Sequence, residues 1–125
     1  MARIFVSGLI NIETTLRIEQ FPIQYFPVTY PFYGINASVS GVGFNIAKAL
    51  SLLSNSVDLV SITGKDIYEP VIREALKNSG ISDQYLQPVI ERTPQSVILF
   101  DNDGNRQIHV DLKNIQDEIY PTDVF

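Results

Sequence analysis

Two short segments carry the residue types that could grip a polar ligand. Asn11 and Glu13 stand two apart in Gly8-Leu9-Ile10-Asn11-Ile12-Glu13, so in an extended chain they face the same side. An amide that donates and accepts, beside a carboxylate that accepts, suits adjacent hydroxyl groups. The second segment, Ser40-Gly41-Val42-Gly43-Phe44-Asn45-Ile46-Ala47, sets two glycines and an asparagine at a turn that opens a helix. Glycine there admits a ligand or another backbone at close range, and a helix start offers free N–H groups. Asn45 would add a second amide to the same small space. Together these residues suit a polyhydroxylated ligand. Each also has a plainer reading, as a turn asparagine, a solvated glutamate and glycines needed only for chain geometry.

The elements that must position them follow from the apolar pattern. Arg3–Ser7 reads as a buried strand ending at Gly8, and residues 13–20 as a half-exposed strand. Phe21-Pro22, Phe26-Pro27 and Tyr30-Pro31 then prevent regular helix or central strand. Their aromatics need cover from the core or from a partner. Residues 32–38 look like another strand. A helix is expected over 46–53, with Ile46, Leu50 and Leu53 on its inward stripe beside Ala47. Residues 57–63 form a buried strand. Asp66 with Glu69 reads as a capping box for a helix carrying Ile72, Ala75 and Leu76 inward and stopping at Gly80. A weaker strand spans 85–90. Residues 96–100 and 106–110 flank Asp101-Asn102-Asp103-Gly104-Asn105, a hairpin in which the aspartates are turn residues. The β-α-β-α-β alternation implies a parallel α/β sheet, and the outlying strand pairs imply a separate small β-layer.

Composition narrows the function. The chain has 125 residues, enough for one modest core, and its net charge of −5 argues against a nucleic-acid binder. There is no cysteine and one histidine, His109, which reads as a solvated strand residue, so no metal site is expected. No apolar run approaches the ~18 residues of a membrane span, and the N-terminal run reads as a strand, not a signal peptide. A cytoplasmic protein with no membrane partner is expected. Ile46 stands where a dinucleotide fingerprint needs its third glycine. No Ser/His/Asp set and no phosphate loop ending in Lys-Ser or Lys-Thr occurs.

Taken in order, these segments resemble the N-terminal part of a PfkB-type, ribokinase-like carbohydrate kinase. Ser40 to Ala47, followed by Ser54 and Gly64, is similar to the family's first signature. Residues 8–13 resemble its first substrate-contacting segment. Gly64-Lys65-Asp66, Leu76-Lys77-Asn78-Ser79-Gly80-Ile81, and Thr93 with Asp101, Gly104 and Arg106 fall at its later landmarks. The resemblance implies an incomplete Rossmann-like αβα core under a β-sheet lid, with lid strands near 14–38 and 96–110. It implies a parent enzyme that moves the γ-phosphoryl of ATP, with Mg2+, to a hydroxymethyl group of a sugar or nucleoside. By position, Asn11, Glu13, Gly41, Gly43 and Asn45 would hold the acceptor, and Ser40-Gly41 would be the hinge between lid and core.

Three departures bear on the acceptor. Glu13 stands for the usual Asp, Ser40 for Gly or Ala, and Val42 for the Lys of ribokinases. The Gly-Val-Gly-x-Asn-Ile-Ala run is more similar to pseudouridine-kinase-like members, which keeps a nucleoside acceptor open. The family's Gly-Ala-Gly-Asp motif, with the catalytic aspartate and the ATP half, is absent from these residues. No catalytic residue and no tightly held cofactor is therefore expected in this chain, and no kinase activity from it alone. The alternative is a stand-alone non-catalytic module of the same half-fold. In either case the open sheet edge or the lid strands would meet the missing half or a second copy.

Overall fold

The computed structural model describes residues 2–124. Its core is a parallel sheet. The buried apolar run β4 (Ser56–Gly64) lies at its centre, with β1 (Arg3–Ser7) on one side, in register from Arg3↔Ser56 to Ser7↔Val60. On the other side of β4 run β5 (Ile81–Ser82) and then β6 (Leu86–Ile90), which pair with successive stretches of it. The sequence pattern did not reveal β5, because two residues are too few to show a period.

Two helices carry the crossovers, α1 (Val42–Leu52) and α2 (Tyr68–Asn78). Both feed one core cluster, in which Phe44 and Ala47 of α1 and Ile72 and Leu76 of α2 meet Val6, Val57, Leu59, Ile81 and Leu86. The expected inward stripe of α1 is corrected here. Ile46 and Leu53 are 49% and 72% exposed, and Leu50 is half-buried, while Gly43, Phe44 and Ala47 face inward. The helix also begins at Val42, a turn earlier than expected. Its orientation is set by a glycine that must touch another strand, a demand that apolar periodicity does not record.

The capping box at Asp66 is also corrected. Asp66 Oδ1 does accept the Tyr68 N–H at 3.1 Å, but Glu69 ion-pairs with Arg73 one turn on instead of reaching back. The opposite face of the core sheet carries Arg3 ion-paired to buried Asp58, and Phe5 packed at 5.5 Å on Tyr85. The Tyr85 carbonyl accepts the Tyr120 hydroxyl from the C-terminal tail.

The outlying strands form one four-stranded sheet, ordered β3-β2-β7-β8, that stands off the core as a lid. Its members are β2 (Asn11–Arg17), β3 (Ile35–Ser40), β7 (Gln95–Phe100) and β8 (Arg106–Asp111). Two antiparallel pairs are joined by a parallel seam, Ile12↔Gln95 through Arg17↔Phe100. β2 starts and ends earlier than expected and β3 later, which puts Asn11 inside the ladder. Between them, residues 18–34 form an irregular arm with a cis Phe21–Pro22 bond. Phe21 is half-buried, but most of the arm's aromatics lack cover among the described residues: Tyr25 and Tyr33 are 88% and 98% exposed.

Candidate acceptor site at the joint of core and lid

The chain passes between core and lid where β1 ends and α1 begins. Gly41 holds φ 110° and ψ 150°, a region that only glycine enters readily. A Cβ on it would lie 2.4 Å from the Leu9 carbonyl oxygen. Gly43 lies against Gly8 so closely that a Cβ would meet the Gly8 carbonyl carbon at 2.6 Å. The Leu9 carbonyl accepts the N–H groups of Gly43 and Phe44, at 3.0 and 3.4 Å. Both glycines thus serve a backbone-to-backbone contact, and two N–H groups of the helix start are already engaged. Asn45 lies in the first turn of α1, exposed, with its own N–H on the Gly41 carbonyl.

Alternation along the strands puts Asn11 and Glu13 on one face of the lid sheet, and hydrogen bonds confirm it. Asn11 Nδ2 donates to Ser96 Oγ at 3.4 Å, and Ser40 Oγ donates to Glu13 Oε1 at 3.4 Å. Asn11 is buried at 4% exposure, and its Oδ1 has no partner among the described residues. Thr63 Oγ1, near the C-terminal end of β4, is likewise buried and unpartnered. Open α/β sheets take ligands at that end of their strands. An orphaned buried acceptor costs about 1–3 kcal/mol, which a ligand hydroxyl would offset.

The register extends this face across the lid. Asn36, Ser38 and Ser40 of β3 and Asn11, Glu13 and Thr15 of β2 make one half polar. Across the seam, Ser96 is followed by Ile98 and Phe100, and β8 adds Ile108 and Val110 opposite. Ile98 is buried, whereas Ile108 and Val110 are 52% and 53% exposed. The face is therefore a polar half beside a largely apolar half, which ends at Arg106 opposite Phe100. Asn11, Glu13 and Ser40 are brought together here. Asn45 makes no side-chain hydrogen bond to them.

A second joint is made by Gly64, Asp66 and Thr93, which the sequence reading named as family landmarks without expecting them to meet. Gly64 N–H donates to Thr93 Oγ1 at 3.0 Å, and Asp66 accepts both the Thr93 N–H at 2.7 Å and the Thr93 hydroxyl at 2.9 Å. Asp66 so fixes the point where the chain leaves β6 for the lid. Ser96, two residues beyond Pro94, was also missed. Its one signal is a hydroxyl opening an otherwise apolar strand. Asp101, read as a turn residue, is one: it is buried and accepts the Asp103 and Asn105 N–H groups and the Asn105 side chain.

A model of the pfkB family of carbohydrate kinases matches residues 1–122. The chain belongs to that family. It is 34% identical over 86 residues to the pseudouridine kinase of Escherichia coli K12, covering 68% of this chain and 28% of that protein. A putative ribokinase from Agrobacterium tumefaciens has the same fold, with TM-score 0.81, 21% identity, and coverage of 95% of this chain and 39% of that one. Arabidopsis thaliana ribokinase, solved with ribose and ATP, matches at TM-score 0.71 and 24% identity, over 86% of this chain and 35% of that one. The chain thus spans little more than a third of these kinases at most. The expected α/β core with a β-sheet lid is present. No helix among the described residues is long and apolar enough to cross a membrane.

Proposed function

We propose that this chain is the acceptor-binding and lid part of an ATP-dependent PfkB kinase that phosphorylates a hydroxymethyl group. The observation that carries the reading is the buried Asn11 amide, whose Oδ1 lacks a donor at the lid–core joint. Asn11, Glu13 and the Ser40–Gly41 turn would bind adjacent hydroxyls, with Gly43 and Asn45 completing the rim. Phosphoryl transfer requires a base, an anion hole, metal and both substrates together. No group of His, Asp or Glu side chains suited to a metal ion occurs among the described residues, and no Gly-x-Gly-Asp occurs in the sequence. The residues present do not fit ATP and Mg2+, so no transfer step is assigned to them, and the chain alone should not phosphorylate any acceptor.

The apolar half of the lid face favours a nucleoside over a free sugar. A ribosyl unit would lie on Asn11 and Glu13, and its base on Ile98, Ile108 and Val110. Calorimetric titration with ribose, inosine and pseudouridine tests both readings. Nucleosides should bind at least about tenfold more tightly than ribose, the equivalent of burying one or two methylene groups. Equal binding would discard the nucleoside preference alone. Asn11→Leu should abolish acceptor binding while raising stability by about 1 kcal/mol, because it removes an orphaned acceptor. Undiminished binding by that variant would overturn the site.

A further inference from the structure

Asn11 and Glu13 are each tied to a serine of a neighbouring lid strand, and the ties cross. In register, Ser40 stands beside Asn11 and Ser96 beside Glu13. The hydrogen bonds run diagonally instead. Ser40 Oγ of β3 donates to Glu13 Oε1, and Asn11 Nδ2 donates to Ser96 Oγ of β7. Ser96 and Asn11 are both buried, so the tie between them is made away from water. The two serines leave over Asn11 Oδ1, which has no partner among the described residues, and Glu13 Oε2. Both atoms are acceptors.

A serine hydroxyl can bond either end of an amide, so the polarity of Asn11 follows from what each orientation strands. As it stands, one carbonyl oxygen is unpartnered. Turned over, an amino group with two N–H donors would be. Stranding the single acceptor costs less. We propose that Ser96 is a positioning residue: tied to Asn11 across the β2–β7 seam, it keeps the Asn11 oxygen toward the ligand, so that Asn11 and Glu13 together select two adjacent hydroxyls that both donate. This role rests on the proposed acceptor site. A substituent that takes the same space but only accepts, such as fluorine, meets two acceptor atoms and is rejected. Without the Ser96 hydroxyl the amide loses its anchor and can turn an N–H to such a group. Ser96 therefore sets selectivity through Asn11, by a bond between strands that only the long-range seam brings together.

Calorimetric titration of the wild type and of Ser96→Ala with inosine, 2′-deoxy-2′-fluoroinosine and 3′-deoxy-3′-fluoroinosine tests this. The wild type should prefer inosine to each analogue by at least about tenfold, the worth of one hydrogen bond. In Ser96→Ala, inosine should weaken about tenfold while one of the two analogues stays within about twofold, since only one hydroxyl meets Asn11. A wild type indifferent to fluorine, or equal weakening of all three ligands in the variant, would overturn the role of Ser96 while leaving the acceptor site in place. No binding of inosine by the wild type would instead overturn the nucleoside reading, and this proposal with it. A second readout needs no ligand. In the free protein the Asn11 side-chain amide protons should shift upfield and exchange faster in Ser96→Ala, followed by nitrogen-15 NMR. An Asn11 amide signal that ignores the substitution would show that Ser96 does not hold it, and the proposal would fall.

Discussion

At the Gly41–Gly43 joint backbone touches backbone, whereas at the Asp66–Thr93 joint a carboxylate reaches across and grips. The first leaves no room for a single Cβ on Gly41 or Gly43. The second relies on acceptor oxygens that one substitution removes. The lid is thus attached at one side by excluded volume, which is insensitive to solvent, and at the other by charge-assisted hydrogen bonds, which are not. A hinge reading of Ser40–Gly41 must accommodate this: the turn has the backbone freedom of glycine but is packed on Leu9.

The largest effect should come from the packed joint. Gly43→Ala forces a carbon into the Gly8 backbone, and the expected loss is about 3 kcal/mol or more, the upper range for overpacking. Urea denaturation would measure it; a loss below that of Asp66→Ala would reverse the ranking of the joints. Asp66→Ala should cost about 2 kcal/mol by leaving the Thr93 N–H and the Thr93 hydroxyl hydrogen without an acceptor. Hydrogen exchange should then rise in β7 and β8 but not in β1 and β4. Uniform loosening would show that the carboxylate serves the core as a whole.

The smallest effect concerns acid. Hydrogen bonds from the Asn105 side chain, and then from the backbone of the same turn, hold the Asp101 carboxyl below its ordinary value of 3.8. A depressed pKa in the folded state contributes stability that is full above the unfolded value and is lost as pH falls through the folded one. The Asp103 and Asn105 amide resonances should therefore move only as pH drops below about 4. The Gly43 amide should stay put over the same range, and a shared titration would erase the distinction between carboxylate-built and glycine-built contacts.

Much of the architecture was legible because it is written locally. Buried runs such as Val57–Thr63 and the Asp-Gly hairpin signal need no knowledge of distant partners. The face of α1 was misread because Gly43 turns inward to meet Gly8, a contact across thirty-five positions that hydrophobicity does not report. Asp66 looked like a cap because a cap is what a lone Asp before a helix usually is, and its bonds to Thr93 depend on a β6–β7 path invisible in the pattern. Within the candidate site, the pairing of Asn11 with Glu13 was readable from spacing. Ser96 joins them through the parallel seam of β2 and β7, for which no local signal exists.

That seam also governs how the molecule is made. β2 pairs with β3 across the arm of residues 18–34, and β7 with β8 across a tight turn, so each hairpin closes over a far shorter loop than the seam between them does. Ile12 meets Gln95 only after both helices and all four described core strands have been synthesised. Joining segments so far apart in sequence is the slow, entropically expensive step. A growing chain would therefore carry its first hairpin unpaired along one side until the second emerges. The face that carries Asn11, Glu13 and Ser96, split between the two hairpins, is complete only when the last long-range contact of the lid has formed.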